Sequence, residues 1–240
     1  MSRLDLPHVA AHPDCLTRQV ALPTGESATV RLLLPGDGDA FGQFLQGLSD
    51  ATRFLYAPHP LTLDQGRKLC ADLDYPGLPS RPPPITLRFI GTMAATVPPA
   101  VVSPSQDVTQ GRTTQPRTQF ADRQDVGAYF ILVLGVRDGE VKRYRDLGID
   151  LDPAATCTFA PVVADALQGR GVGSALVTPV FDAARRLGFT CCVLMGGTRA
   201  INHRAIRFYE KAGFRKVGDF VTKAADGTPI DNQDMVMELR

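Results

Sequence analysis

No stretch of this 240-residue chain is apolar for long enough to span a bilayer, and its first residues show no signal-peptide pattern. With no export signal, the expected location is the cytoplasm. Charge of one sign is equally scarce: 26 Lys and Arg against 25 Asp and Glu leave a formal net charge of +1. The basic residues are scattered and form no block, so neither a nucleic acid nor a membrane surface is expected as a partner. The five cysteines (Cys15, Cys70, Cys157, Cys191 and Cys192) are odd in number and fall at no metal-ligand spacing. That argues for reduced thiols and against a metal site. No internal repeat and no linker divides the chain into two cores. The economical reading is an N-terminal arm over 1–27 and one domain over 28–240.

What is present reads as strands and helices in alternation. Residues 1–27 carry Pro7, Pro13 and Pro23 without a clear period and read as an extended arm, with a short strand near 17–22. A β-branched and leucine-rich run at 28–34 is a strand that stops at Pro35-Gly36. Phe41, Phe44, Leu45 and Leu48 then recur at helical spacing, 49–54 reads as a short helical turn, and a second full helix follows from Thr62 to about residue 73. The proline-rich 75–84 is a loop. Strands are expected at 85–93 and 127–136. Between them the polar stretch around 97–125 reads as a solvated insertion. Residues 141–153 read as a charged connector with one helical turn near Tyr144. Strands at 156–164, 189–195, 214–221 and 235–239 and helices at 174–187 and 202–212 complete the pattern, with Pro179 raising the prospect of a kink in the first of these helices.

The chain is organised around 162–174, Val-Val-Ala-Asp-Ala-Leu-Gln-Gly-Arg-Gly-Val-Gly-Ser. A β-branched run ends, three glycines follow within five residues, and an amphipathic helix begins at once. The first turn of a helix has amide N–H groups without intrahelical partners and carries partial positive charge. Glycines let a ligand approach the main chain. The product is a main-chain anion site suited to phosphate.

Two motifs resemble those of the GNAT acyl-CoA-dependent N-acyltransferases. One is Gln168-Gly169-Arg170-Gly171-Val172-Gly173, which fits the family's Gln/Arg-x-x-Gly-x-Gly/Ala signature behind a valine-rich strand. The other is Asn202-His203-Arg204-Ala205-Ile206-Arg207-Phe208-Tyr209-Glu210-Lys211-Ala212-Gly213-Phe214, which fits the family's Asn-x-x-Ala-x-x-Phe-Tyr-x-x-x-Gly-Phe. The resemblance implies an α/β (α+β) fold: a mixed, mostly antiparallel central sheet with flanking helices, splayed between the strands ending near Val163 and Met195. It implies acetyl-CoA as co-substrate, with its pyrophosphate on the amides of Gln168, Gly169, Arg170, Gly171, Val172, Gly173 and Ser174. It places the pantetheine arm along Val162 and Val163 and near Asn202, with the Val163 N–H at the acetyl carbonyl. Tyr209 matches the tyrosine that protonates the departing thiolate.

The expected activity is N-acetyl transfer to a primary amine of a small molecule, amino acid or peptide by direct attack. The alternative is a non-catalytic acyl-CoA-binding or regulatory domain of the same fold. The glutamate that histone-type members carry six residues before the position of Val163 is replaced by Cys157, which reads as a small core residue. Asp165 reads as a turn residue that interacts with the helix start, with a water-relay role as the other option. His203 reads as exposed, and Glu210 is expected to point away from the site. The C-terminal strands offer an edge through which a homodimer could form.

Overall fold

The computed structural model describes residues 3–56, 58–78, 84–94, 124–224 and 226–240. Of the polar stretch read as an insertion, 97–123 lies outside the described residues, and Gln124 and Asp125 begin a strand.

A nine-stranded sheet forms the frame. Its strands are β1 (Arg18–Ala21), β2 (Ser27–Leu32), β3 (Ile85–Ala94), β4 (Gln124–Leu134), β5 (Thr156–Val163), β6 (Cys191–Leu194), β7 (Thr198–Arg199), β8 (Arg215–Lys223) and β9 (Pro229–Glu238). The first six lie in chain order, β6 and β7 pair with β9, and β8 pairs with β9. Every pairing is antiparallel except β5 with β6. The mixed, mostly antiparallel sheet expected from the motifs is therefore the sheet observed.

Alternation of side chains across the sheet makes two cores. One face carries Leu87, Phe89, Phe130, Phe159 and Cys192. Against it pack α6 (Val172–Arg186) and α7 (His203–Ala212), through Leu176, Val180, Phe181 and Tyr209. The other face carries Ile90, Tyr129, Ile131 and Val162, covered by α2 (Gly38–Gln46) and α4 (Leu63–Ala71) through Phe41, Leu45 and Cys70. Cys191 and Cys192 separate to opposite faces, as adjacent strand residues must. Pro179 is buried within α6, and the helix runs through it.

Two segments differ from the sequence reading. The arm expected to be extended contains α1 (Leu6–Ala11), capped by Asp5 and started by Pro7, and Leu4, Val9, Leu16 and Leu22 enter the first core. The charged connector is α5 (Asp138–Asp146), whose Tyr144 is fully buried with its hydroxyl donating to Met235 O at 2.8 Å. A short helix, α3 (Asp50–Leu55), is capped by Ser49 and fixed by Arg53, whose guanidinium donates to the carbonyls of Leu45, Gln46, Leu48 and Leu61. Three of these bonds satisfy the open carbonyl end of α2, the fourth ties α3 to Leu61 ahead of α4, and Ser49 and Thr52 hold α3 to Asp165 beyond the end of β5.

Candidate functional site

The site begins where β5 and β6 part. Their parallel ladder runs from Thr156 opposite Cys191 to Phe159 opposite Leu194, and its last bond is Met195 N to Phe159 O at 2.9 Å. Beyond it β6 turns away at Gly196 and Gly197, with φ of 66° and 72°. Residues 160–163 keep β4 on one side and, among the described residues, have no strand on the other. The splay expected between Val163 and Met195 is present.

Which main-chain groups face the gap follows from the register. Ala164 N donates to Gly127 O at 2.8 Å, so Ala164 and Val162 bond toward β4, while Pro161 and Val163 face the gap. Proline has no N–H and is excluded from the middle of a fully paired strand. It is accommodated here because no strand lies on its donor side, and it denies β6 a partner beyond Phe159. Pro161 is thus a sequence signal for the splay that the motif reading did not use. The Val163 carbonyl is taken, accepting from Gln168 Nε2 at 2.8 Å. The open groups along this edge are the Pro161 carbonyl and the Val163 N–H.

Past Val163 a 3-10 turn over Asp165–Leu167 leads to the glycine-rich segment and the start of α6. Gly171 caps α6 at φ +79°, a conformation costly for any residue with a Cβ. At Gly173 an added Cβ would stand 3.2 Å from Val163 Cγ2 and 3.6 Å from the Phe208 ring. The helix start therefore sits directly on the end of β5, with its unpaired amides beside the gap.

Gln168 is a brace. Its N–H donates to Asp165 O at 3.2 Å, its Nε2 also reaches Thr52 Oγ1 at 3.2 Å, and its Oε1 accepts from Arg204 Nη1 at 2.5 Å. Gly169, Gly171, Gly173 and Ser174 line the cavity with Val162 and Val163. Val172 buries its side chain in the core, and Arg170 is exposed, so neither is part of the wall.

The cavity has a volume of about 910 Å³. Tyr209 and Asn202 come to it from α7. Asn202 caps that helix, its Oδ1 accepting from Ala205 N at 3.1 Å, which leaves its Nδ2 for a ligand. Tyr209 is buried against Phe208 and Phe214, with ring centroids 5.3 and 5.5 Å away. Burial, reinforced by the nearby Cys192 thiol, holds its phenol well above the usual value of 10. Its hydroxyl has no hydrogen-bond partner among the described residues. Arg199, Arg204, Arg207, Lys211 and His203 line the cavity, against a single acid among the described residues, Asp165.

Asp165 is held by its neighbours. Its carboxylate accepts from Ser49 N at 2.9 Å, Ser49 Oγ at 2.6 Å and Thr52 Oγ1 at 2.7 Å. Burial raises its pKa, but these bonds outweigh burial and keep it below the usual carboxylate value. Cys157 is fully buried, donating to Cys191 O at 3.4 Å, and lies off the cavity wall. His203 is exposed at the mouth, and Glu210 is exposed and off the wall.

The far wall was not legible as a site. Thr52, Leu55 and Tyr56 of α3 and its exit line it, and Arg199 of β7 stacks on Phe54 at 4.1 Å across the mouth. Glu140 of α5 accepts from Gly196 N at 3.1 Å and so fixes the turn that opens the gap. Among the described residues no cluster of His, Cys, Asp and Glu is arranged for a metal, and no helix is long and apolar enough to cross a membrane.

Residues 105–214 match the model of the acetyltransferase (GNAT) family. No curated protein sequence matches the chain. Among solved structures, the GNAT domain of S. lividans PAT is 18% identical with a TM-score of 0.59, covering 94% of this chain and 98% of that one. Mycobacterium smegmatis RimJ, in complex with CoA-disulfide, is 11% identical with a TM-score of 0.58, covering 92% and 86%. The yncA protein of Salmonella typhimurium, with its cofactor acetyl-CoA, is 16% identical with a TM-score of 0.54, covering 89% and 94%. Over the matched stretch the chain is thus similar to the GNAT family of acetyltransferases, and as a whole it has the fold of these solved structures.

Proposed function

We propose that the protein transfers an acetyl group from acetyl-CoA to a primary amine of a small molecule, amino acid or peptide. The observation that carries this reading is the unpaired edge of β5. One donor, Val163 N–H, and one acceptor, Pro161 C=O, face a gap that ends at an amide-lined helix start on one side and at Tyr209 on the other. A ligand for this edge needs an extended amide-bearing arm, an anionic head and a polar reactive end. A CoA thioester has all three, and it supplies an acyl group activated for attack. The residues fit it: the α6 amides and the arginines of α7 suit the phosphates, and the strand edge suits the pantetheine amides.

Each residue then has a defined task. The Val163 N–H donates to the acyl oxygen as the acceptor nitrogen adds to the carbonyl carbon, stabilising the charge that builds there. The carbon–sulfur bond breaks, and Tyr209 gives its proton to the departing sulfur. The proton lost by the nitrogen returns through water to the phenolate, so the site is restored. The Asp165 carboxylate, already occupied by Ser49 and Thr52, takes no part in proton transfer and holds α3 onto the glycine-rich turn.

Calorimetry with acetyl-CoA, followed by a thiol-release assay over a panel of amines, tests the proposal. Binding and amine-dependent thiol release are expected, and absence of acetyl-CoA binding overturns the reading. Tyr209→Phe is expected to bind acetyl-CoA as the wild type does and to lose about 100-fold or more in kcat. Wild-type turnover in that variant would remove Tyr209 from the mechanism.

A further inference from the structure

Behind the far wall of the cavity lies a polar cluster that the transfer step leaves unused. Arg88 stands on β3, on the sheet face covered by α2 and α4. Its Nη1 donates to the Tyr129 hydroxyl at 2.6 Å. No carboxylate lies within ion-pair distance of it among the described residues, and the nearby Asp37 is already paired with Arg31 at 2.6 and 2.8 Å. Arg88 is half-buried, and the Tyr129 hydroxyl is the acceptor its guanidinium has among the described residues. Beside it are two orphans. The Tyr56 hydroxyl and the His59 Nε2 are both shut off from solvent with no hydrogen-bond partner among the described residues. The His59 Nδ1 faces Pro60 O at 2.8 Å, which makes Nδ1 the donor and leaves Nε2 as an acceptor. The His59 ring stands 6.0 Å from Tyr129.

Tyr56 joins this cluster to the cavity. Tyr56 lines it, and Tyr56 lies within electrostatic reach of Tyr129, Tyr209 and Arg88 alike. Tyr129 pairs with Val162, another wall residue. Two orphaned buried polar atoms are costly to enclose unless a ligand completes them, and the half-buried Arg88 beside them carries a positive charge without a carboxylate partner among the described residues. Arginine's planar fork is matched best by an oxyanion taken in two parallel bonds. The cluster offers donors from Arg88 and Tyr56 and one acceptor at His59. It lies on the acceptor side of the sheet, opposite the α6 and α7 face.

The geometry points to a subsite for the carboxylate of the acceptor, built from Arg88 and Tyr56, so that the amine acetylated is that of an amino acid or a related carboxylate-bearing amine. This rests on the acetyl-transfer reading and narrows its acceptor. A polycationic amine is disfavoured by the same guanidinium.

The test pairs each amino acid with its methyl ester and its decarboxylated amine in the thiol-release assay. Wild-type protein is expected to favour the free acid by about tenfold or more in kcat/KM. Arg88→Gln is expected to raise the acceptor KM for acids about tenfold, to leave the ester values and the acetyl-CoA KM near wild type, and so to abolish the preference. Tyr56→Phe removes only an orphaned hydroxyl. It is expected to keep the wild-type Tm while the KM for acids rises severalfold, and it serves if Arg88→Gln melts early. Equal turnover of acids and esters, a polyamine as the best acceptor, or an equal loss on both members of a pair in either variant overturns the subsite. If acetyl-CoA binds but no panel member turns over, glutamate and glycine are titrated into the acetyl-CoA complex by calorimetry. Binding that Arg88→Gln abolishes supports the subsite, and no binding overturns it. Absence of acetyl-CoA binding is a separate outcome that strikes the acetyl-transfer reading.

Discussion

Asp165 shapes the site without reacting in it. Its carboxylate already accepts three hydrogen bonds, and its lowered pKa makes it a weak base. Its effect is to join α3 to the turn before α6, 116 residues away in sequence. Asp165→Asn is expected to destabilise the fold by about 1 kcal/mol, the modest figure reflecting an exposed side chain, and denaturant unfolding would measure it. Because the folded pKa is depressed, this stability is fully present above the ordinary carboxylate pKa. It is lost as pH falls through the lowered value. Tyr209 titrates the other way. A phenol raised by burial keeps its proton through neutral and mildly alkaline pH, so kcat is expected to show no falling limb below the ordinary phenol pKa of about 10. A limb that falls near pH 8 in wild type and vanishes in Tyr209→Phe would keep Tyr209 as the acid but contradict its raised pKa, while a limb that persists in Tyr209→Phe would belong to another group.

Among the elements, α5 has the least obvious sequence and a large effect on the gap. Of its nine residues only Glu140 and Tyr144 are buried, so no apolar stripe betrays the helix, and a charged connector is what the pattern alone suggests. Its worth is tertiary. Tyr144 anchors it to β9, Arg143 pairs with the buried Asp234 at 2.6 Å, and Glu140 holds Gly196 N. Glu140→Ala leaves that amide without its acceptor and is expected to cost about 1–3 kcal/mol, read by chemical denaturation. Acceptor turnover should fall with it, since Gly196 belongs to the cavity wall. Glu140→Gln keeps one acceptor oxygen and should recover most of both. The contrast with α6 and α7 explains what sequence could reveal. Those helices carry main-chain features and caps at fixed local spacing, so Gly171, Gly173, Asn202 and Tyr209 could be placed from the chain alone. Pro161 also carried a local signal for the splay. Ser49 on Asp165, Arg204 on Gln168 and Arg88 on Tyr129 are contacts across many residues, and nothing in the spacing of either partner announces them.

For the molecule as a whole, the sheet separates two approaches to one gap. The face packed by α6 and α7 brings the helix-start amides, the α7 arginines and Tyr209 to the gap. The face packed by α2 and α4 brings Tyr56, and behind it Tyr129 and Arg88. At residues 160–163, where β5 has lost its β6 neighbour among the described residues, the cavity wall draws on both faces. On the proposed function, donor and acceptor would enter from opposite sides and meet at Val163, the arrangement that direct attack requires. It also predicts where each ligand leaves its mark. Acetyl-CoA at 100 times its Kd should stabilise the fold by about 2.7 kcal/mol. The slowed amide exchange should concentrate at residues 163 and 169–174, the unpaired amides of the strand edge and helix start. The α4 amides should exchange as they do in the free protein, because α4 covers the other face. Hydrogen exchange with and without acetyl-CoA measures both. Protection centred on α4 instead would mean that the donor enters from the acceptor side, and the division of the gap between the two faces would have to be reversed.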